Sequence, residues 1–271
     1  MNTSIGFVGL GNMGAGMVKN LMLNGFDVVG YDVDQHKVAR LVGVGLKTAT
    51  SIEEIAQQCQ TVILCLPNPE SSNMVIFKKL LVPGNVVNTV IETSTLTPEI
   101  VLDIAERLEG ENKSFLSALM IGGKNSAQNQ TVQFLAEGNI ETYKNCLSFL
   151  LAMGSRADYM GNAPSATLAK LVFNFCRYAN VAVAVEAHRL LQPYNPNMQS
   201  IYEFMAEQSL DNFGQVWRED MKEMMTKGIL YEPSKVPKKD LELLSEMAQK
   251  HSVDDEFIKN IRKIYESMEI E

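Results

Sequence analysis

Cysteine, histidine and positive charge are in short supply, and each shortage narrows what this chain can be. There are four cysteines in 271 residues: Cys59, Cys65, Cys146 and Cys176. None stand at zinc-ligand spacing and all fall in apolar stretches. The expectation is reduced, buried thiols in a cytoplasmic protein, not a disulfide framework. The three histidines, His36, His188 and His251, are far apart and form no metal motif, so no metal site is expected. His188, on a helical pattern, reads as structural. Lys and Arg number 24 against 32 Asp and Glu, a formal net charge of −8, which disfavours nucleic acid or an anionic membrane as partner. No apolar run is expected to reach the length of a membrane span. No basic region precedes the first apolar run, so a secretory signal is not expected. Internal repeats and low-complexity segments are lacking too.

What is there is an ordinary soluble composition, 46% hydrophobic and 21% charged, enough for one large or two ordinary domains. The chain is organised around residues 5–32. Ile5, Phe7 and Val8 form a short apolar run. Gly9, Gly11 and Gly14 follow as G-x-G-x-x-G, and a helical apolar pattern opens at Met13. A second apolar run, Val28 to Tyr31, ends in Asp32. This is the context a dinucleotide needs. Gly9 permits the tight turn, Gly11 lets a pyrophosphate approach the backbone, and Gly14 lets helix and strand pack closely. The helix start offers free N–H groups and a positive dipole end. Asp32, eighteen residues past Gly14, can accept from ribose hydroxyls and repels a 2′-phosphate, which favours NAD. The alternative is NADP held by Lys37 or Arg40.

Further on, helix and strand alternate. Helices are expected over 34–42, 52–58 (with a Ser51/Glu54 capping box), 70–80, 98–109 (capped by Thr97) and 140–153. Strands are expected over 46–50, 61–66, 86–92, 113–119, 131–136 and 156–160. That alternation implies a Rossmann-type doubly wound sheet over residues 1–162. An all-α domain over 163–271 follows, opening with one long helix, Pro164 to Leu191, that Pro193 and Pro196 stop. Shorter helices are expected over 198–208, 214–226, 238–250 and 254–268.

Five segments, in order, resemble the β-hydroxyacid dehydrogenase family, the group of 3-hydroxyisobutyrate dehydrogenase, tartronate semialdehyde and glyoxylate reductases, and 6-phosphogluconate dehydrogenase. They are Gly9-Leu10-Gly11-Asn12-Met13-Gly14; Leu66-Pro67-Asn68 with Ser94-Thr95 and Pro98; Ser117 to Gly123 with Ala127; Gly161-Asn162-Ala163 followed by Lys170 and Asn174; and Lys239-Asp240-Leu241. The resemblance runs to about Leu241. It implies that Asn12, Met13, Leu66, Pro67 and Thr95 join the glycines and Asp32 at the cofactor. Gly122, Gly123 and Lys239 would hold a substrate carboxylate, and Lys170 and Asn174 would be catalytic. It also implies a homo-oligomer. Lys170 and Asn174 are spaced i, i+4 on one helix face, and the apolar surroundings of Lys170 would lower its proton affinity, which suits general acid–base work.

The chain departs from the family where it usually reads Asp-Ala-Pro-Val-Ser-Gly-Gly. Ser117, Leu119 and Ile121 replace the aspartate, proline and serine, and Ala163 replaces a glycine. Ile121 cannot donate a hydrogen bond, and losing a donor to a charged group costs on the order of 1.5–3 kcal/mol. A substrate with an apolar group at that spot is therefore favoured. The resemblance implies hydride transfer between NAD(P) and a small β-hydroxy acid or aldehyde acid. The alternatives are a divergent NAD-binding member with little or no activity and an imine-reducing relative, against which Lys170 argues. No arginine cluster suits a phosphosugar acid.

Overall fold

A computed structural model describes residues 4–191, 196–208, 235–250, 252 and 254–267. The chain divides into two compact units, residues 1–170 and 171–271.

The first unit is built on eight strands: β1 Ile5–Val8, β2 Val28–Tyr31, β3 Lys47–Thr48, β4 Thr61–Leu64, β5 Thr89–Glu92, β6 Ser114–Ile121, β7 Gln133–Gly138 and β8 Arg156–Tyr159. Their spatial order is β3-β2-β1-β4-β5-β6-β7-β8. All neighbours are parallel except β6 and β7. The order reverses between β1 and β4, the switch point where such sheets open a ligand crevice. Both faces of the sheet are covered, which is why its strands read as apolar runs. Phe7, Ile63, Ile91, Leu116 and Phe134 pack on one face with Met17, Leu21 and Leu150. Val8, Leu64, Val90 and Phe115 pack on the other with Ile55, Ile76 and Ile104.

The covering helices are α1 Asn12–Leu23, α2 Gln35–Val42, α3 Ile52–Gln58, α4 Pro69–Met74, α5 Pro98–Gly110, α6 Lys124–Gln128 and α7 Ile140–Met153. Local caps set most of their starts. Ser51 accepts from Glu54 N–H, Thr97 from Ile100 N–H, and Asn139 from Glu141 and Thr142 N–H. The Glu54 carboxylate does not close the expected box on Ser51; it takes the N–H and hydroxyl of Thr50 instead. After α4 the chain continues as a π-helical segment, Val75–Leu80, where one α-helix was expected. The strand expected over 86–92 starts only at Thr89, and β3 shrinks to two residues. The short α6 had no counterpart in the sequence reading.

In the second unit, α8 Ser165–Leu191 runs on from the first, followed by α9 Met198–Gln208, α10 Lys235–Lys250 and α11 Glu256–Ser267. Tyr178, Val181 and Val185 of α8 meet Tyr202, Leu241, Ile261 and Tyr265 in its core. The Tyr178 and Tyr265 rings sit edge-on at 5.9 Å. His188 has the structural place expected of it, stacked on Tyr202 with its Nδ1 at the Tyr202 hydroxyl. The helix expected over 214–226 lies outside the described residues. The division falls inside α8, not at its start, because the first turn of α8 is bonded to the sheet.

Two expectations are corrected. Residues 165–185 of α8 are long and apolar enough to cross a membrane, because that stretch holds few charges; 44% of its most apolar window is buried within the protein. Cys176 is exposed, unlike Cys59 and Cys146, because it lies on the outward side of α8 near Val172.

Asn20 ties α1 to α6: its amide donates to the Ala127 carbonyl at 2.7 Å from a site 3% exposed. Asn20→Ala leaves that carbonyl buried without a donor, so stability should fall by about 1–3 kcal/mol. A lower urea midpoint with unchanged slope is the expected result.

Candidate functional site

The glycine turn is shaped by what cannot fit. Gly9 has φ +100°, and a Cβ there would lie 2.1 Å from the Cys65 carbonyl oxygen. A Cβ on Gly14 would lie 1.9 Å from the Gly9 carbonyl oxygen. Gly11 differs. It is the N-cap of α1, no side chain caps that helix, and a Cβ there meets nothing within 4 Å. The first N–H groups of α1 therefore open onto a space that a side chain would fill. That is the form a pyrophosphate requires, so the residues present fit a dinucleotide. Asn12 is exposed and Met13 half-buried on the same first turn.

Asp32 follows β2 and is only 6% exposed. Its Oδ2 accepts from Leu10 N–H at 2.7 Å, and its Oδ1 from Asp34 N–H at 2.8 Å. The carboxylate thus holds the glycine turn in place, a task the sequence did not show. Oδ2 has a second lone pair for a ribose hydroxyl, whereas that of Oδ1 is taken by the Lys37 ammonium. Lys37 Nζ stands 3.4 Å from Asp32 Oδ1 and 3.9 Å from Asp34 Oδ2. The lysine considered for NADP is thus already held by two carboxylates.

The exits of β4 and β5 are cross-tied. Leu66 N–H donates to Ser94 Oγ at 2.8 Å, and Ser94 N–H donates to Glu92 Oε1 at 2.8 Å. Leu66 and Thr95 are half-buried and Pro67 is exposed. Between them, burial pushes the Cys65 thiol up to about 12, so it is no nucleophile at neutral pH. At the exit of β6, Ile121 is half-buried, and Gly122 and Gly123 are exposed. Gly122 has φ +133°. Gly123 N–H makes one long bond, 3.4 Å, to Ser126 Oγ.

Lys170 lies on the second turn of α8 and is 9% exposed. The turn before it is held from the sheet. The carboxylate of Glu137 on β7 accepts from Ala166 N–H at 2.6 Å, from Thr167 N–H at 3.1 Å and from the Thr167 hydroxyl. One turn past Lys170, Asn174 is also buried. Its amide donates to Asp240 Oδ2 at 2.6 Å, and the Tyr178 hydroxyl donates to the same oxygen at 3.0 Å. Burial first, then the Asp240 carboxylate, pushes the Tyr178 hydroxyl well above its ordinary range, so it remains a donor. Lys239, beside Asp240 on α10, is half-buried.

A family model describing the NAD binding domain of 6-phosphogluconate dehydrogenase matches residues 4–161. The chain belongs to the β-hydroxyacid dehydrogenase family. Among relatives, it is similar to the cytokine-like nuclear factor N-PAC of Xenopus tropicalis, 25% identical over 76% of this chain and 39% of the relative. It is 29% identical to mouse mitochondrial 3-hydroxyisobutyrate dehydrogenase, over 69% of this chain and 57% of the relative. With the chloroplastic glyoxylate/succinic semialdehyde reductase 2 of Arabidopsis thaliana it shares 28% identity, over 77% and 59%. The chain thus spans less than two thirds of the length of each. A solved 3-hydroxyisobutyrate dehydrogenase from Mycobacterium tuberculosis with L-serine has the same fold, with TM-score 0.84 at 22% identity, covering 98% of this chain and 94% of that one. An imine reductase from Myxococcus stipitatus with NADP+ aligns at TM-score 0.71 and 10% identity, covering 97% and 93%.

In this member of the family, the glycine turn, Asp32 and the loops carrying Leu66 and Thr95 come together at one edge of the sheet, where β1, β2, β4 and β5 end. Asn174 is joined to the residue beside Lys239. Sequence reasoning missed Ser94, Glu92, Glu137 and Tyr178. Ser94 lay inside a motif segment and Glu92 ended an expected strand, but the role of Ser94 depends on the exit of the neighbouring strand. Glu137 and Glu92 carry a usable signal: an acid at the end of an apolar run, which needs a partner if buried.

The two glycines make a paired test. Gly11→Ala should leave the melting temperature near wild type and weaken NAD binding at least tenfold, read by cofactor fluorescence. Gly14→Ala should lower both together, because its Cβ meets backbone in the protein itself.

Proposed function

We propose that this chain is an NAD-dependent oxidoreductase acting on a small β-hydroxy acid or the matching aldehyde acid. The observation that carries the reading is Lys170: a lysine nine-tenths buried, on a helix whose first turn is held by a carboxylate from the sheet. The names of two relatives, 3-hydroxyisobutyrate dehydrogenase and glyoxylate/succinic semialdehyde reductase, support the substrate class. When bound, the nicotinamide accepts or donates the hydride; the protein supplies position and electrostatics. Lys170 takes the substrate hydroxyl proton in oxidation and returns it in reduction. Asn174, with its amide N–H committed to Asp240, has its carbonyl oxygen to accept from the Lys170 ammonium or the substrate hydroxyl. Gly122, Gly123 and Lys239 hold the substrate carboxylate, and Ile121 selects a substrate with an apolar group beside it. Asp32 favours NAD over NADP by repelling a 2′-phosphate, with Lys37 already engaged.

Lys170→Ala should reduce turnover about 10²–10⁴-fold and leave the NAD dissociation constant within about twofold. Wild-type turnover in that variant, across a panel of hydroxy acids and aldehyde acids, would remove the lysine from the chemistry. A second reading is favoured by Ile121, Ser117 and Ala163, which depart from the family pattern. It makes the chain a nucleotide-binding member that does little or no chemistry. Tight NAD binding without turnover on the same panel would establish it.

We also propose a homo-oligomer. Leu168, Val172 and Val183 are 41%, 53% and 56% exposed along α8, and an apolar stripe of that kind suits a second copy of the chain. Light scattering should give at least twice the monomer mass, and Val172→Asp with Val183→Asp should return it toward the monomer. A wild-type monomer at micromolar concentration would overturn the assignment.

A further inference from the structure

We propose that Glu137 is the positioning residue for Lys170: its buried carboxylate pins the first turn of α8 to the sheet and so sets where the amine stands. The inference rests on the reading of Lys170 as the proton-transfer group. Glu137 is 0% exposed, and a buried carboxylate is costly unless its oxygens are bonded. Here both are bonded to one target, through Ala166 N–H, Thr167 N–H and the Thr167 hydroxyl. Those N–H groups belong to the unsatisfied set at a helix start, where a negative charge is also favoured by the dipole.

The contrast with other helices shows that this is more than a cap. Helices α3, α5 and α7 are capped by the residue just before them. Such a cap satisfies the helix without fixing it to anything else. The α8 bonds come from a single residue, 29 positions before Ala166 and 30 before Thr167, on a strand of the sheet's antiparallel joint. They therefore fix the helix against the sheet in both position and rotation.

Rotation is what matters for Lys170. It lies four residues after Ala166, on the same helical face. A slip of one residue would swing it by about 100°. Strand register explains why Glu137 can reach α8. Glu92 pairs with Ser117, and Ser117 with Glu137, across β5, β6 and β7, so the three side chains share one sheet face. Elsewhere that face carries Val90 and Phe115. Ser117, between the two acids, is small, and its buried hydroxyl has no hydrogen-bond partner.

The test uses Glu137→Gln in the full chain, with Thr167→Ser and Thr167→Val as a milder pair. NAD affinity, kcat, KM and amide exchange over residues 166–171 are measured for each. Glu137→Gln should keep the NAD dissociation constant and KM within about twofold, lower kcat roughly ten- to hundredfold, as expected when a reacting group is misplaced, and speed exchange over the first turn of α8. Thr167→Ser should keep the wild-type kcat, and Thr167→Val should fall between. A kcat within twofold of wild type in Glu137→Gln overturns the proposal. If that variant does not fold, equal kcat in the two Thr167 variants overturns it and a lower value in Thr167→Val supports it. If the wild type turns over nothing on the panel, the lysine reading fails by itself. Amide exchange then decides: faster exchange in Glu137→Gln supports the pin, and unchanged exchange overturns it.

Discussion

The carbonyl oxygen of Gly9 lies 1.9 Å from where a Cβ on Gly14 would be, and much else follows from that closeness. It forces β1 into α1 with no room for side chains. It leaves the first N–H groups of α1 bare, because Gly11 caps the helix with nothing. The turn is then locked from a second strand, by the Asp32 carboxylate on Leu10 N–H. A loop free to breathe would not hold its donors on a pyrophosphate; this one is braced on β2 and packed against the Cys65 carbonyl at the end of β4.

Beyond that turn, buried polar groups brace each unit from within, most of them supplied over long chain distances. Ser94 holds Leu66, and Glu92 holds Ser94. Glu137 holds α8, and Asp240 holds Asn174 and Tyr178. In a low-dielectric interior such bonds are strong when complete and expensive when broken. They give the exits of the strands and the two turns of α8 around Lys170 a defined geometry that apolar packing alone would leave loose. Loops are usually where sequence and structure drift; here their key members are tied to the framework.

Three of the four departures from the family pattern, all but Ala163, fall on one strand. On β6, Ser117 and Leu119 are fully buried and Ile121 half-buried, so an aspartate and a serine have been exchanged for side chains with less hydrogen-bonding capacity, and a proline for leucine. The polar capacity near the start of α8 is carried instead by Glu137 on the adjacent strand. The glycine turn, Asp32, Lys170, Asn174 and the Lys239-Asp240 pair remain. The motif residues of the glycine turn and around Lys170 are therefore kept, while the end of β6 is apolar at Ile121.

The amino-acid sequence alone determined the parts that depend on short-range rules. The three glycines and the apolar runs on either side determined a strand–turn–helix. The caps at Ser51 and Thr97 placed helix starts to within a residue or two. The i, i+4 spacing put Lys170 and Asn174 on one face. Tertiary structure decided whatever needed two distant segments to meet. The antiparallel turn of β7 against β6 decided that Glu137 faces the start of α8. The exits of β4 and β5 decided that Ser94 receives Leu66. Packing decided that Tyr178, Val181 and Val185 of α8 join the core of the second unit, and that Asp240 holds Asn174 across 66 residues of chain. The physical reason is the same in each case: backbone propensity and capping are local energies, whereas a buried hydrogen bond gains its strength only once the surrounding fold has excluded water.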